Sequence, residues 1–497
     1  MSENAKREPT LLQALAPIVF LILMLIASVA LFGDSSSSGP NQIALLLSGG
    51  AGIIIGIRNG FSWKELEKGI VHGISLAMGA ILILLVVGSL VGTWIAGGIV
   101  PTMIYYGLKI LNPTFFYPVA AIICAIVALS TGSSWTTAGT IGVALVGIAA
   151  ALNLNLGITA GAIISGAYFG DKLSPLSDTT NLAPAMAGTD LITHIKHMLW
   201  TTIPSMTIAL ILYFIIGLFS SPAEQFQNPE AIFTALDSSF NIGLHMLIPP
   251  VLVIVLLAKR MPALPALLIG ALIGGVWAML FQQTAMSTYV ADESLPGFIT
   301  SIKGFWMAMF QGFSASTGNE AMDNLLSRGG MSSMLSTVWL ILMAMVFGGV
   351  METTGILRRV AEGILNLAKS TGSLVLSTIL TSIGMNIIAA DQYIAIVVPG
   401  RMFRAEYQRR RLQPKNLSRT LEDAGTLTSV MIPWNTCGAY MAGTLGVATL
   451  TYLPFCFLAL LNPIIAAIYG YTGFTIEKME EGESGDDLPE GVATQSV

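Results

Sequence analysis

Long runs of apolar residues, separated by short polar segments, dominate the chain. About 20 consecutive apolar residues are enough for an α-helix to cross the hydrocarbon core of a bilayer. Runs of this length, or close to it, predict membrane-spanning helices at 11–32, 41–57, 70–96, 115–131, 199–219, 243–258, 263–281, 332–354, 373–390 and 453–470. The pattern therefore predicts an all-α polytopic membrane protein.

Shorter apolar segments lie between these helices and are interrupted by Gly, Pro, Ser, Thr and Asn. They cover residues 134–152, 158–170, 392–403, 424–433 and 436–450. Irregular backbone persists at membrane depth only where protein or a water-filled cavity surrounds it, and transporters place their binding sites at such interruptions. We therefore predict broken or re-entrant helices near the membrane midplane.

Composition excludes a water-soluble protein. Of the 497 residues, 54% are hydrophobic and 10% are charged, whereas soluble domains carry about 25% charged residues. The 51 glycines are typical of helices that pack closely in lipid. Cys124, Cys437 and Cys456 lie in apolar surroundings without CxxC or Cys/His spacing, which indicates neither a disulfide framework nor a zinc site. We expect no cofactor.

The distribution of lysine and arginine predicts the orientation, because short cytoplasmic loops are enriched in both residues. Segment 401–419 carries seven of them, segment 58–68 carries three, and Lys259-Arg260 follows a predicted helix. Segments 33–41, 149–157 and 220–241 carry none. These counts predict a multi-pass protein of a bacterial inner membrane with both termini in the cytoplasm. They also place residues 471–497 there, as an acidic tail that we expect to be disordered from Glu477 onward.

Self-similar segments predict an internal repeat. Residues 185–189 (AMAGT) match residues 440–444 (YMAGT), and an asparagine precedes each, Asn181 and Asn435. Helix 11–32 is predicted to run outward and its partner 243–258 inward. We therefore predict two inverted repeats, 1–219 and 242–470, joined by an external linker at 220–241. Glycine-rich apolar helices also resemble one another by chance, and that alternative stays open.

Ionisable residues inside the membrane are costly and therefore mark functional candidates. Asp391 follows Asn386 in the segment NIIAADQY, and Asp171 and Asp178 lie in GDKLSPLSDTTN, where Pro175 interrupts any regular helix. Asp391 has the alternative role of capping a helix. Asp171 has the alternative of a structural ion pair with the adjacent Lys172.

Other polar residues in the apolar segments carry weaker predictions. Glu352 ends an apolar run and has two alternative roles, as an interfacial acid or as a partner of Arg358 and Arg359. Glu422 and Asp423 are predicted to open the second broken helix, where acids stabilise a helix N-terminus. The four histidines are predicted to be interfacial.

The predicted site combines carboxylate, hydroxyl and amide oxygens, the ligands that hard cations such as sodium prefer. The predicted ion-binding and transport residues are Thr136, Thr137, Asp171, Ser177, Asp178, Asn181, Glu352, Asn386, Asp391 and Asn435. Among them, the predicted sodium ligands are Asp178, Asn181, Asp391 and Asn435.

Four motifs resemble the signatures of the NhaC-type sodium:proton antiporter family. They are STGSSWTTAG at 130–139, GDKLSPLSDTTN at 170–181, NIIAADQYIAIVVPG at 386–400 and LEDAGTLTSVMIPWNTCGAYMAG at 421–443. The resemblance covers roughly residues 10–470. It implies a secondary transporter of the ion-transporter superfamily that is driven by ion gradients rather than by ATP. The superfamily resemblance alone suggests a homodimer.

The residues and the resemblance together predict an antiporter that exchanges sodium for protons by alternating access, with both cations competing for one intramembrane carboxylate. Similar proteins exchange malate for lactate or carry amino acids, so an organic-anion or amino-acid transporter stays open, as does a channel. A membrane enzyme is disfavoured, because the sequence shows no nucleophile–base pair, metal motif or cofactor fingerprint. We expect sodium ions, protons and the lipid bilayer as partners, and no nucleic acid.

Overall fold

A computed structural model describes residues 6–219, 229–292, 294–318, 320–366 and 368–480. The described residues are almost entirely helical, and their β-structure is limited to two isolated bridges, Phe313 with Arg328 and Leu412 with Lys478. Nine of the described helices are long and apolar enough to cross a membrane, or up to eleven if each of two bent helix pairs counts as one span. The prediction of an all-α polytopic membrane protein is confirmed.

The first part of the chain forms ten helices. They are α1 (Leu11–Phe32), α2 (Pro40–Arg58), α3 (Trp63–Ala96), α4 (Ile99–Ile110), α5 (Phe116–Thr131), α6 (Ser134–Thr137), α7 (Val143–Ala151), α8 (Leu156–Leu173), α9 (Asp178–Ala187) and α10 (Leu191–Phe219). A π-helical turn, Ala138–Gly142, joins α6 to α7.

The second part begins with helices that precede the functional region. They are α11 (Pro229–Ser239), α12 (Ile248–Ala258), α13 (Ala263–Phe281), α14 (Gln283–Val290), α15 (Gly297–Gln311), α16 (Glu320–Leu326), α17 (Leu335–Thr353) and α18 (Ile356–Leu365). The remaining helices are α19 (Thr371–Ile388), α20 (Gln392–Arg409), α21 (Pro414–Leu421), α22 (Leu427–Ser429), α23 (Thr436–Leu445), α24 (Thr449–Tyr452) and α25 (Phe457–Thr472). The π-helical turn Glu422–Thr426 joins α21 to α22.

Two helical hairpins turn sharply at their tips. Helix α5 ends at Gly132, whose φ of 70° is readily adopted only by glycine, and α6 starts two residues later with Ser133 as its N-cap. Helix α19 ends before Ala390, a non-glycine residue with φ of 58°, and Asp391 is the N-cap of α20. The predicted break at 392–403 is therefore the start of an 18-residue helix that follows a hairpin tip.

Two helices are broken, and the first break contains Pro175, where the sequence predicts an interruption. The apolar segment 158–170 is part of the continuous helix α8, and the break comes after it, at Ser174–Ser177. The second break lies between Ser429 and Thr436. Glu422 and Asp423 do not open a helix as predicted, because α21 already begins at Pro414 and continues through both residues as a π-helical turn.

Close backbone contact between α5 and α8 depends on glycine. A Cβ atom at Gly166 would overlap the carbonyl oxygen of Ala121, whereas a Cβ at Gly50 of α2 would meet nothing within 4 Å. Overpacking of a well-packed interior costs about 1–3 kcal/mol. We therefore expect Gly166→Ala to lower the melting temperature of the purified protein in detergent and Gly50→Ala to leave it unchanged. Equal melting temperatures for both variants would contradict this packing.

The order of the elements parallels the predicted repeat without testing its inversion. Helices α3 and α4 are separated by two residues, the second a glycine, and so are α17 and α18. In both parts a hairpin and then a broken helix follow. Helix α4 was missed in the sequence, and the extra residues after 281 form α14, α15 and α16.

The segments outside the predicted repeats are more ordered than expected. The predicted linker 220–241 contains helix α11, although residues 220–228 lie outside the described part. The tail is not disordered from Glu477 onward as predicted. The Glu477 carbonyl oxygen accepts a hydrogen bond from the Gln413 backbone N–H at 3.0 Å, and the Glu477 carboxylate lies 2.5 Å from Lys415 Nζ. Residues 481–497 are outside the described part.

Candidate functional site

Both hairpin tips and one of the two helix breaks border a single cavity of about 750 Å³. Its walls come from α3, the α5–α6 tip, the α8–α9 break, the α12–α13 turn, the α19–α20 tip and the start of α23. It contains three of the predicted carboxylates, Asp171, Asp178 and Asp391. A larger cavity of about 1050 Å³ lies between α13, α14 and α15 and contains none of the predicted residues.

Asp391 stands at the tip of the α19–α20 hairpin and is 4% exposed. Its Oδ1 accepts hydrogen bonds from the backbone N–H groups of Tyr393 (2.8 Å) and Ile394 (3.1 Å). The capping role that was the alternative is therefore real. However, both cap donors reach the same oxygen, so the cap does not use Oδ2. Thr436 N–H donates to the Ala390 carbonyl at 2.9 Å and holds the start of α23 beside the carboxylate.

Asp171 fastens one hairpin to one broken helix. Its Oδ2 accepts hydrogen bonds from Ser134 N–H (3.0 Å) and Ser134 Oγ (2.6 Å). The predicted ion pair with the adjacent Lys172 is wrong, because the Lys172 ammonium forms its ion pair with Asp423 instead. Asp171 thus holds the N-terminus of α6 against α8 on the cavity wall.

Asp178 is the most accessible of the three aspartates and begins helix α9. The preceding residue, Ser177, is buried and caps that helix, accepting a hydrogen bond from Thr180 N–H at 3.5 Å. Among the described residues, no group of three or more His, Cys, Asp or Glu side chains is arranged to hold a metal ion. The three aspartates therefore do not form such a group, although all of them line the cavity.

The asparagines Asn386 and Asn435 lie behind the cavity rather than on its wall. Asn435 Nδ2 donates to Asn386 Oδ1 at 3.0 Å, and Asn386 Nδ2 donates to the Gly425 carbonyl at 2.7 Å. Asn435 Oδ1 caps α23 by accepting from Cys437 N–H at 3.0 Å. Both side chains are fully buried. They hold the second break against the α19–α20 hairpin, and their predicted role as ion ligands stays a prediction.

Asn181 has a comparable structural position at the first break. Its Nδ2 donates to the carbonyls of Ser177 (2.7 Å) and Pro175 (3.0 Å), which closes the turn between α8 and α9. The Thr136 hydroxyl donates a hydrogen bond to Ser133 Oγ at 3.0 Å, and the Thr137 hydroxyl donates one to the Ser133 carbonyl at 2.9 Å. These side chains shape the tip and the break that carry the aspartates.

Glu352 is exposed at the end of α17 and does not line the cavity. Its predicted arginine partners are engaged elsewhere, since Arg358 forms ion pairs with Glu8 and Glu362, and Arg359 with Glu362. Within the described ranges Glu352 itself forms no ion pair.

A second polar cluster was missed in the sequence. Lys172 Nζ donates to Asp423 Oδ1 and, at 3.0 Å, to Asn462 Oδ1, and Thr201 Oγ1 donates to the same carboxylate oxygen at 3.0 Å. Both charged side chains are completely buried. The cluster ties α8 and α10 to the second broken helix and α25. The available signal in the sequence was that Lys172 is an ionisable residue next to an apolar segment.

Two histidines are packed inside the protein, and their predicted interfacial position stays a prediction. His194 and His197 are buried, and His194 Nδ1 lies 2.8 Å from Ser418 Oγ. They connect α10 to α21 inside the protein.

Comparison with known proteins extends over nearly the whole chain. Residues 5–167 and 166–474 match the family described as "Na+/H+ antiporter family". The "Malate-2H(+)/Na(+)-lactate antiporter" of Bacillus subtilis (strain 168) is 40% identical over 468 residues, covering 94% of this chain and 96% of that protein. The "Na(+)/H(+) antiporter NhaC" of Alkalihalophilus pseudofirmus is 41% identical over 417 residues, covering 84% and 87%.

A third relative is the "Arginine/ornithine antiporter ArcD" of Halobacterium salinarum. It is 36% identical over 494 residues, covering 99% of this chain and 98% of that protein. The three relatives are all antiporters, and their names differ in the solutes exchanged. By the family match and by the extent of these identities, this chain belongs to the Na+/H+ antiporter family.

Proposed function

We propose that this protein is a secondary antiporter that exchanges sodium for protons across the bacterial inner membrane. The observation that carries the proposal is the position of Asp391, a nearly buried carboxylate at a hairpin tip, on the wall of a cavity large enough for a hydrated ion. Its cap uses one oxygen only. The family membership supports the same cation pair.

Competition at the Asp391 carboxylate supplies the coupling. In a poorly solvated site, an ionised carboxylate is costly unless a cation neutralises it, and either a proton or a sodium ion does so. Binding of one cation therefore requires release of the other. The hydroxyls of Ser133, Ser134 and Thr436 line the same cavity and supply further oxygen ligands for sodium. Transport driven in this way needs no cofactor and no covalent chemistry.

The cavity faces the cytoplasm in this proposal. Arg260, at the turn between α12 and α13, lies on its wall, and the positive-inside rule places Lys259-Arg260 in the cytoplasm. Both termini lie on the same side. Asp178, the more accessible acid, is the first carboxylate that a cytoplasmic cation meets, and Asp391 lies deeper. Opening to the other side requires the hairpins and broken helices to move against α3.

The repeat predicted from the sequence extends the proposal to the whole molecule. Residues 1–219 and 242–470 form two inverted halves, and the superfamily resemblance favours a homodimer. The molar mass of the purified protein, measured by light scattering with correction for detergent, tests the dimer. Distances between spin labels in the two halves, measured in both gradient directions, test the inversion.

Proton movement in proteoliposomes tests the proposed function. The assay uses an imposed pH gradient and a fluorescent pH probe. Sodium added alone is expected to dissipate the gradient, because sodium and protons cross the membrane in opposite directions. Potassium at equal concentration serves as the ionic control. A response that occurs only when an organic solute is present would overturn the sodium–proton assignment.

An organic-solute antiporter of the same family is the second candidate. The observation in its favour is the cavity volume of about 750 Å³, which exceeds what one ion needs and places Arg260 on the wall as a cationic group. The names of two relatives include malate and lactate, or arginine and ornithine. Adding each of these four solutes to the same proteoliposomes distinguishes the candidates. An antiporter of sodium and protons alone is expected to show the same sodium-dependent rate with and without the solutes.

A further inference from the structure

Glu422 is a completely buried carboxylate that the site described above does not include. It lies on the π-helical turn between α21 and α22, and turns of this kind occur frequently at functional sites. It does not line the cavity itself. Thr179, at the start of α9, lines the cavity and also faces the Glu422 carboxylate. One threonine therefore separates Glu422 from the space that contains Asp171, Asp178 and Asp391.

Four oxygen atoms of this one turn have no hydrogen-bond partner among the described residues. They are Glu422 Oε1, Glu422 Oε2, Asp423 Oδ2 and Thr426 Oγ1. The hydroxyls of Thr426 and Thr179 lie close to the Glu422 carboxylate, and the Thr179 hydroxyl also lies 3.2 Å from Ser177 Oγ. Buried polar atoms in native proteins are almost always hydrogen-bonded, and an unsatisfied group of this kind points to an absent water or ion.

The neighbouring cations do not neutralise Glu422. The Lys172 ammonium acts on it electrostatically but forms its ion pair with Asp423. The buried Arg419, three residues earlier, donates from Nη1 to Thr475 Oγ1 at 2.8 Å. No cationic side chain of the described residues lies within 4.0 Å of the Glu422 carboxylate, whereas Asp171 adds a repulsive negative charge.

The arrangement requires a counter-charge. An isolated carboxylate in a buried position costs several kcal/mol unless a positive charge and further ligands compensate it. The available ligands are all oxygens, two from a carboxylate and two from hydroxyls, which is the chemistry of a hard monovalent cation rather than of a transition metal. Lys172 and Asp423 pair with each other, so the Glu422 carboxylate is left without a cation at ion-pair distance among the described residues.

We propose that Glu422, with the hydroxyls of Thr426 and Thr179, forms a second sodium-binding site behind the transport cavity. The inference rests on the proposed function, because it makes sodium the bound cation. Thr179 gives this site its access to the cavity. The protein then holds two sodium ions when saturated, one at Asp391 and one at Glu422.

Equilibrium binding of radioactive sodium to the purified full-length protein in detergent tests the proposal. The wild-type protein is expected to bind two sodium ions per chain, and Glu422→Gln one, with the affinity of the remaining site unchanged. Asp391→Asn also binds one, and the double variant none. Two ions bound to Glu422→Gln with wild-type affinity would overturn the proposal, since the carboxylate would then carry a proton or no ligand.

Thr426→Val keeps the test decisive if Glu422→Gln does not fold. Loss of one hydroxyl ligand is expected to weaken one of the two sodium sites by about tenfold. Thr102→Val is the matched control, because Thr102 is a buried threonine on α4 whose hydroxyl also has no partner in the described ranges. Unchanged sodium affinity in Thr426→Val would contradict the site.

Failure of this inference is separable from failure of the proposed function. If sodium drives proton movement in proteoliposomes but Glu422→Gln still binds two sodium ions, only the proposed second site is rejected. If proton movement needs an organic solute but sodium binding still depends on Glu422, only the sodium–proton assignment is rejected.

Discussion

Asp391→Asn is expected to reduce sodium-driven proton movement to the level of protein-free liposomes. Asparagine neither binds nor releases a proton at this position, and it has no charge to compensate a sodium ion. The substitution preserves the fold for a specific reason. Asp391 is the N-cap of α20, and asparagine caps helices as well as aspartate does. The variant therefore separates the chemistry of the carboxylate from its structural role.

The measurement is the rate of probe dequenching after sodium addition, at equal amounts of reconstituted protein. Asp292→Asn is the matched control, since Asp292 lies between α14 and α15, away from the cavity of Asp391. Hydrogen bonds from Ser294 and the ion pair with Lys303 lower its pKa to about 2, so Asp292→Asn removes a carboxylate that does not exchange protons in the assay. Wild-type rates in Asp391→Asn would exclude this carboxylate from transport, whatever the result for Asp292→Asn.

Lys172→Met is expected to destabilise the protein strongly. The substitution leaves the Asp423 carboxylate buried and without its cation, and breaking a buried ion pair costs about 3–5 kcal/mol. Asp423→Asn is expected to have a similar effect by leaving the ammonium unpaired. The double variant Lys172→Met/Asp423→Asn removes both charges, and its melting temperature should exceed that of either single variant. Thermal unfolding of the purified proteins, followed by tryptophan fluorescence, measures the three shifts.

An exposed ion pair supplies the comparison. Lys303 Nζ and Asp292 Oδ2 lie 2.9 Å apart with substantial solvent access, and exposed pairs contribute little to stability. Lys303→Met is therefore expected to leave the melting temperature unchanged. Additive losses in the double variant at Lys172 and Asp423 would show that the two charges do not interact, contrary to the structure.

Much of the helical pattern could be predicted because lipid imposes a simple rule of length and apolarity. The spans at 11–32 and 263–281 coincide with α1 and α13 at both ends. Helix α4 was missed, since its 12 residues are too few for a span. Segment 158–170 was interpreted as interrupted, although it is part of the continuous helix α8. Its glycines resemble helix-breaking residues, but Gly166 and Gly170 are the small residues that let α5 approach.

The sequence pointed to candidate residues but not to their geometry. The cost of burying a charge pointed to Asp171, Asp178 and Asp391, and all three line one cavity. Which partner each carboxylate takes depends on contacts that are remote in sequence. Lys172 and Asp423 are 251 positions apart, so proximity along the chain wrongly suggested Asp171 as the partner of Lys172. The hydrogen bonds that join Asn386 and Asn435 at the second break were not visible in the sequence either.

The attachment of the C-terminal segment has a mechanical consequence. Backbone hydrogen bonds join Glu477 to Gln413 and Met479 to Arg411, only a few residues after helix α25 ends. This short strap ties the end of α25 to the connection between α20 and α21. During alternating access these helices should travel as one piece, and a pair of fluorophores placed across the strap should report a constant distance. Reporter proteins should accordingly be fused beyond residue 480, because cutting the chain before Glu477 would release one end of the moving unit.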